Sequence, residues 1–157
     1  MVFKDNIMNH TGIIDRLNLT DDEIAAIMGH EMAHALREHG RERASRSGAT
    51  QLGLSVLASA IGLTEGQTQI AGMATQLGLD LPFNRGQESE ADSLGLELMA
   101  RAGYNPQAAI SLWNKMSAAS KGEPPQFLST HPGAQNRIRT LQSLMPKVVP
   151  LYQQSRR

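Results

Sequence analysis

Residues 30–34 read His-Glu-Met-Ala-His and give the strongest indication in this chain of 157 residues. They match the pattern H-E-x-x-H. On a helix, residues four apart lie one turn above each other on the same face, so His30 and His34 can hold one metal ion. Glu31 lies about 100° round the helix, where it faces water on an open coordination position. Zinc with three protein ligands keeps such a water and lowers its pKa to about 7, so the motif predicts zinc-dependent hydrolysis with Glu31 as general base.

The motif lies within a predicted helix. Thr20-Asp21-Asp22-Glu23 forms a capping box, in which the hydroxyl accepts from one free N–H and Glu23 reaches back to another. The two aspartates also favour the positive end of the helix dipole. Apolar residues then lead into the motif, and we expect the helix to run from Thr20 to about Arg43.

The third ligand decides which class of metal site this is. A Met-turn metalloprotease would have Gly at position 37 and His at position 40, but this chain has Arg37 and Gly40. His39 lies nine residues after His30, which on a continuous helix is about 180° round, so we expect it to point away. A Cys ligand is excluded because the chain contains no cysteine.

A carboxylate from elsewhere in the chain is therefore the expected third ligand. Glu88 and Asp92 share one face of a separate predicted helix, four residues apart. A metal site needs one carboxylate for the ion and a second that accepts the outer N–H of a ligand histidine. We assign Glu88 to the first role and Asp92 to the second, and we expect Glu90, about 200° away from Glu88, to face outward. The alternative is a solvated acidic face.

The remaining pattern predicts a mainly α domain of α+β zincin type with little sheet, in which the His30 helix packs against the Glu88 helix. Residues 2–10 carry a weak strand signal. Asn84 and Pro106 provide helix starts, and Gly103 and Pro146 provide stops. The further helices that we expect cover about 49–62, 67–78, 84–102, 106–119 and 133–144.

Residues 44–83 connect the two predicted metal-binding helices and carry six glycines, at positions 48, 53, 62, 66, 72 and 78. Long connections of this kind are often lids or binding loops. One interpretation is that Leu52 to Leu63 packs across the cleft and limits access to the metal. The other is ordinary core, because Leu54, Leu57 and Ile61 recur at helical spacing.

Composition excludes several classes of function. Lys and Arg number 15 and so do Asp and Glu, so the net charge of zero gives no reason to expect a nucleic-acid partner. The most apolar stretch, residues 49–63, is too short and too interrupted for a transmembrane segment, which needs about 20 apolar residues. No secretory signal follows Met1.

The chain resembles the HtpX and CAAX-prenyl-protease family of gluzincin peptidases, most closely its soluble, envelope-located bacterial members of the BepA and LoiP type. The resemblance covers nearly the whole chain, and several motifs occur in the family's order. These motifs are Asn18-Leu19-Thr20-Asp21-Asp22-Glu23, His30 to His34, Arg85-Gly86-Gln87-Glu88-Ser89-Glu90-Ala91-Asp92, Gly103-Tyr104-Asn105-Pro106, and Thr130-His131-Pro132 with Arg137-Ile138.

The resemblance implies a zinc endopeptidase that acts on proteins in envelope quality control, in the bacterial periplasm or at the membrane, with one Zn²⁺ per chain. It places His131 at the mouth of the active site, where it could stabilise the oxyanion or reach the metal when the site is idle; an exposed loop residue is the alternative. Arg137 either braces its helix through an ion pair or contacts the substrate or oxyanion. Family members carry an N-terminal segment that this chain lacks, so we expect residues 1–157 to be a single catalytic domain without that segment.

Two other functions fit parts of the sequence. A binding or chaperone-like module could keep zinc for structure alone, although it would have no use for Glu31. An interaction domain of a larger envelope complex could use residues 44–83 as its surface.

Overall fold

The structure, a computed structural model, describes residues 11–75, 81–119, 131 and 134–156. Within these residues the chain forms seven helices and no strand, which confirms a mainly α fold. The weak strand prediction for residues 2–10 lies outside the described residues. The helices are α1 (Thr11–Leu17), α2 (Asp21–Leu36), α3 (His39–Ile61), α4 (Glu65–Thr75), α5 (Leu81–Arg101), α6 (Gln107–Ala119) and α7 (Ala134–Ser155).

The core lies between α2, α5, α6 and α7. Its largest side chains come from the last three of these helices, and Trp113 of α6 and Leu141 of α7 are each 3% exposed or less. Burial of such side chains supplies most of the stabilisation of a domain of this size. None of the described helices is long and apolar enough to cross a bilayer.

Helices α2 and α5 approach each other at two glycines. A Cβ atom on Gly95 would lie 2.7 Å from the carbonyl carbon of Gly29 and from the backbone nitrogen of His30. A Cβ atom on Gly29 would lie 2.6 Å from the carbonyl oxygen of Gly95. Real Cβ atoms do not come so close, so only glycine at both positions allows this spacing of the two helices. The predicted packing of the His30 helix against the Glu88 helix is confirmed.

The predicted capping box at the start of α2 is present, and it also anchors α6. The amide of Thr20 donates to Glu23 Oε2 at 2.9 Å, and the amide of Glu23 donates back to the Thr20 hydroxyl. Glu23 is only 2% exposed, and it accepts from Ser111 and, at 2.7 Å, from the ammonium of Lys115. Burial alone would raise the pKa of the Glu23 carboxyl, but these hydrogen bonds hold it below its ordinary value.

The prediction of one helix from Thr20 to about Arg43 is wrong. Helix α2 ends at Leu36, and Glu38 has a φ of 53°, in the left-handed region that side-chain-bearing residues seldom adopt. Helix α3 then begins at His39 in a new direction and continues through the predicted 49–62 helix. Gln87 of α5 fixes its first turns, because the Gln87 side chain donates to Glu42 at 3.1 Å and accepts from Arg43 at 3.2 Å.

Two helix boundaries predicted from proline or cap residues are also wrong. Helix α5 begins at Leu81 rather than after an Asn84 cap, since Pro82 falls in its first turn, where the missing N–H has no intrahelical partner to lose. Helix α7 continues through Pro146 and Pro150 to Ser155. Both prolines are exposed, so the carbonyl oxygens that lose a helical partner can bind water instead.

The core interpretation of Leu52 to Leu63 is wrong, whereas the lid interpretation stays a prediction. Helix α3 packs against α4, and most of the stretch from Leu52 to Leu63 is exposed to solvent. Leu57 is 56% exposed and Ile61 is 62% exposed. Of the side chains in the stretch, that of Ala58 is buried.

Candidate metal centre

Four side chains from three parts of the chain converge on one point. His30 and His34 extend from one face of α2, Glu88 extends from α5 opposite them, and His131 precedes α7. One ligand atom from each lies within 4.8 Å of the ligand atoms of the others. His30, Glu88 and His131 are buried, and His34 is partly buried. The four side chains offer only imidazole nitrogen and carboxylate oxygen.

The distances between these donor atoms fit a small tetrahedral ion. Ligand bonds of about 2.0–2.1 Å place neighbouring donors of a tetrahedral zinc site about 3.3 Å apart. His30 Nε2 lies 3.1 Å from His34 Nε2, 3.4 Å from Glu88 Oε2 and 3.3 Å from His131 Nδ1. His34 Nε2 lies 3.2 Å from Glu88 Oε1. The cluster therefore fits a metal ion both in chemistry and in spacing.

The outer nitrogen of His30 faces a buried ion pair. His30 Nδ1 lies 3.1 Å from Asp92 Oδ1 and 3.0 Å from Arg137 Nη2. Arg137 binds Asp92 through two nitrogens, one of them at 2.6 Å from Oδ2, and donates to Glu88 at 2.8 Å. Its guanidinium stacks on the Trp113 ring, 4.1 Å from the centroid. Burial would raise the pKa of Asp92, but the bonds from His30 and Arg137 hold it below its ordinary value.

The outer nitrogen of His34 faces His39, which contradicts the prediction that His39 points away. His34 Nδ1 lies 2.9 Å from His39 Nδ1, and His39 is 2% exposed. The prediction assumed a continuous helix, and the break at Glu38 turns His39 back toward the site. Glu90 is half exposed on the outward side of α5, as predicted. Its carboxylate lies 2.8 Å from Arg37 Nε and 3.4 Å from His39 Nε2.

Glu31 lies at the edge of the cluster, buried at 5% exposure. Its Oε1 atom is 3.2 Å from His131 Nε2, while His131 Nδ1 is 2.9 Å from Glu88 Oε2. One imidazole therefore bridges the two glutamates. The structure brings together all seven predicted site residues: His30, Glu31, His34, Glu88, Asp92, His131 and Arg137.

The hydrogen bonds at the centre favour a charged carboxylate on Glu88. Burial would raise its pKa, but bonds with His131, His30 and His34 outweigh burial and hold the pKa far below its ordinary value. Burial lowers the pKa of His34, against the opposing bond to Glu88. Glu88 is thus ionised and His34 is neutral at physiological pH, which are the forms that bind a metal.

The pKa of His131 is shifted in the opposite direction from that of His34. Burial works against a charge on its ring, but the hydrogen bonds to Glu31 and Glu88 outweigh burial and raise the pKa of His131 above its ordinary value. The two carboxylates therefore favour a proton on His131.

The sequence analysis missed three residues that shape the centre: Gly29, Gly95 and His39. A glycine inside a helix costs about 1 kcal/mol relative to alanine and usually has a packing reason, so the two glycines beside the motif carried a signal. His39 carried none, because its position depends on a helix break that no Pro or Gly marks.

A mainly α domain whose H-E-x-x-H helix faces a second helix with a buried glutamate is the arrangement of a metallopeptidase. Comparison with known families agrees, since the model of "Peptidase family M48" matches residues 2–145. The chain belongs to peptidase family M48.

Curated relatives are similar over most of this chain. The mitochondrial metalloendopeptidase OMA1 of Schizosaccharomyces pombe is 36% identical over 129 residues, which are 81% of this chain and 37% of that protein. The zebrafish (Danio rerio) metalloendopeptidase OMA1 is 38% identical over 86% of this chain and 31% of its own length. The beta-barrel assembly-enhancing protease of Escherichia coli is 27% identical over 98% of this chain and 33% of its own length. The matched region of this chain covers only 31% to 37% of the length of these relatives. No solved structure matches the chain significantly.

Proposed function

We propose that residues 1–157 form a single catalytic domain of a zinc-dependent endopeptidase that cleaves proteins. His30, His34 and Glu88 would hold one Zn²⁺ and Glu31 would serve as general base. The observation that carries the proposal is the set of donor distances, 3.1–3.4 Å between neighbouring atoms, beside a buried glutamate on the same helix. Curated relatives with the name metalloendopeptidase support it.

The chain's own residues supply the proton chemistry. Bound zinc would polarise the scissile carbonyl and acidify a water at an open position. Glu31 lies one residue after the first histidine ligand, and its carboxylate can take a proton from that water and later give it to the leaving amine. The burial of Glu31 keeps its carboxylate out of bulk solvent, so the proton passes between groups held in place.

When no substrate is bound, His131 would offer a fourth donor through Nδ1, and the ion would have to displace the proton that the two carboxylates favour on this ring. Its Nδ1 atom lies within the donor cluster, 3.3 Å from His30 Nε2, which favours contact with the ion over an oxyanion role in this state. Hydrolysis needs an open position at the ion, so His131 would have to turn away from the donor cluster before turnover. The 3.2 Å contact between His131 Nε2 and Glu31 Oε1 would then be lost, and the base would become available.

Arg137 would brace the centre rather than contact the substrate. Its guanidinium is 6% exposed and is already engaged by Asp92, Glu88 and the Trp113 ring. A cation beside two buried carboxylates offsets the cost of removing their charges from water. Asp92 in turn would hold the outer nitrogen of His30.

The cellular setting is part of the proposal. The resemblance to soluble envelope peptidases supports a role in quality control, in the bacterial periplasm or at the membrane. Two of the relatives cited above are named as mitochondrial metalloendopeptidases OMA1, and the third is named for β-barrel assembly. Their names agree on proteolysis.

The test removes the base and keeps the metal. Glu31→Gln keeps the shape of the side chain but cannot accept a proton, so we expect casein cleavage to fall by about 10²–10⁴-fold. Zinc content and the thermal unfolding midpoint should stay near those of the unaltered protein. Glu65→Gln, an exposed change on α4, is the matched control and should cleave at the parental rate. Cleavage by Glu31→Gln at the parental rate would contradict the mechanism. If the chain were a binding module instead, the unaltered protein and both variants would bind zinc and none would cleave casein.

A further inference from the structure

On the side away from the donor cluster, the ring of His34 is held by a short series of hydrogen-bonding side chains. His34 points Nε2 at the donor cluster, 3.2 Å from Glu88 Oε1, and Nδ1 at His39 Nδ1, 2.9 Å away. On the far side of the His39 ring, Nε2 lies 3.4 Å from Glu90 Oε2. Arg37 Nε fixes the other oxygen of Glu90 at 2.8 Å.

The chemistry of these groups gives the chain a direction. A carboxylate only accepts hydrogen bonds, so the nitrogen of His39 that faces Glu90 carries a proton. The other nitrogen of a neutral His39 then has a lone pair and accepts from His34 Nδ1. His34 therefore carries its proton on Nδ1 and has a free lone pair on Nε2, which is the form that binds a metal.

We propose that His39 is the positioning residue that fixes the tautomer and ring orientation of the ligand His34, through a hydrogen-bond chain from His34 through His39 to Glu90. The inference rests on the proposed function of the centre. It gives the two histidines of the motif different supports, since His30 is held directly by the carboxylate of Asp92.

The break between α2 and α3 makes this contact possible. On a continuous helix His39 would lie about 140° round from His34 and could not reach its ring. The left-handed backbone of Glu38, with φ of 53°, redirects the chain so that the His39 ring is buried against His34. Gln87 of α5 also donates to the His39 carbonyl at 3.5 Å, beside the proposed ligand Glu88.

Zinc affinity measured by competition with a chelator tests the proposal. His39→Phe keeps an aromatic ring but has no acceptor, so we expect about 10–100-fold weaker zinc binding, the usual effect of losing an outer partner of a ligand histidine. In His39→Asn the amide oxygen lies near the position of Nδ1 and can accept from His34, so affinity should return to within a few-fold of the parental value. Equal affinity in His39→Phe and the unaltered protein would overturn the proposal. Failure of the unaltered protein to bind zinc would instead overturn the proposed function.

A second measurement does not depend on whether the Phe variant folds. Nuclear magnetic resonance of the zinc-loaded, ¹⁵N-labelled protein reports which nitrogen of each histidine carries a proton. We expect the His34 proton on Nδ1, slow to exchange with water, and the His39 proton on Nε2. A proton of His39 on Nδ1, or a His34 Nδ1 proton in rapid exchange with water, would contradict the chain of hydrogen bonds.

Discussion

Glu88 and Glu90 are two residues apart on α5 and lie in opposite environments. Glu88 is 5% exposed and contacts three histidines, whereas the side chain of Glu90 is 45% exposed and pairs with Arg37. Successive residues of a helix are rotated by about 100° round its axis, so two carboxylates two positions apart face different directions. This contrast provides a matched pair of variants within one turn.

Glu88→Gln removes a charged donor from the centre of the cluster. Loss of a hydrogen-bond partner of a ligand costs about 10–100-fold in metal affinity. Loss of the ligand itself should therefore cost at least about 100-fold. Glu90→Gln should stay within a few-fold of the parental affinity, because its amide oxygen can still accept from His39. Bound zinc after dialysis against a chelator measures both. Equal losses in the two variants would show that Glu88 is not the ligand.

Helices α2 and α5 hold His30 and Glu88, the proposed ligands, at a fixed separation because Gly29 and Gly95 lie against each other. Gly95→Ala would bring a Cβ atom to 2.7 Å from the backbone of Gly29 and His30. Overpacking of this kind costs about 1–3 kcal/mol, and here the strain must move His30 relative to Glu88. We expect a lower unfolding midpoint together with weaker zinc binding.

Gly86→Ala is the control on the same helix, since a Cβ atom there meets no heavy atom within 4 Å. Alanine is favoured over glycine inside a helix by about 1 kcal/mol, so this variant should be equally or more stable and should bind zinc normally. If Gly95→Ala behaved like Gly86→Ala in both measurements, the close approach of the helices would not set the geometry of the site.

At the level of elements, the sequence predicted helix type better than helix ends. The capping box at Thr20 marked the start of α2 because its side chains satisfy local N–H groups wherever the helix goes afterwards. The end of α2 at Leu36 was missed because Glu38, which has no special propensity for a left-handed backbone, is held there by the contacts of His39 and Gln87 across the interface. Pro146 was read as a stop, but its exposed position lets α7 continue.

Across the whole molecule, the seven residues predicted for the site lie together. Helical spacing of four pairs His30 with His34 and Glu88 with Asp92, and the motif adds Glu31. His131 and Arg137 came only from the resemblance to known peptidases, because no local pattern links them to the motif. The remaining part of the centre depends on tertiary packing. The position of His39 and the contact between Gly29 and Gly95 each join segments that are distant along the chain or in different helices, and local pattern carries little information on such contacts.

The central claim is that His30, His34 and Glu88 bind one zinc ion, and anomalous diffraction at the zinc absorption edge tests it without reliance on activity. Crystals of the zinc-loaded protein should show one strong peak per chain, within about 2.0–2.2 Å of His30 Nε2, His34 Nε2 and one oxygen of Glu88. A peak at other residues, or none at this cluster in protein that has bound zinc, would contradict the account.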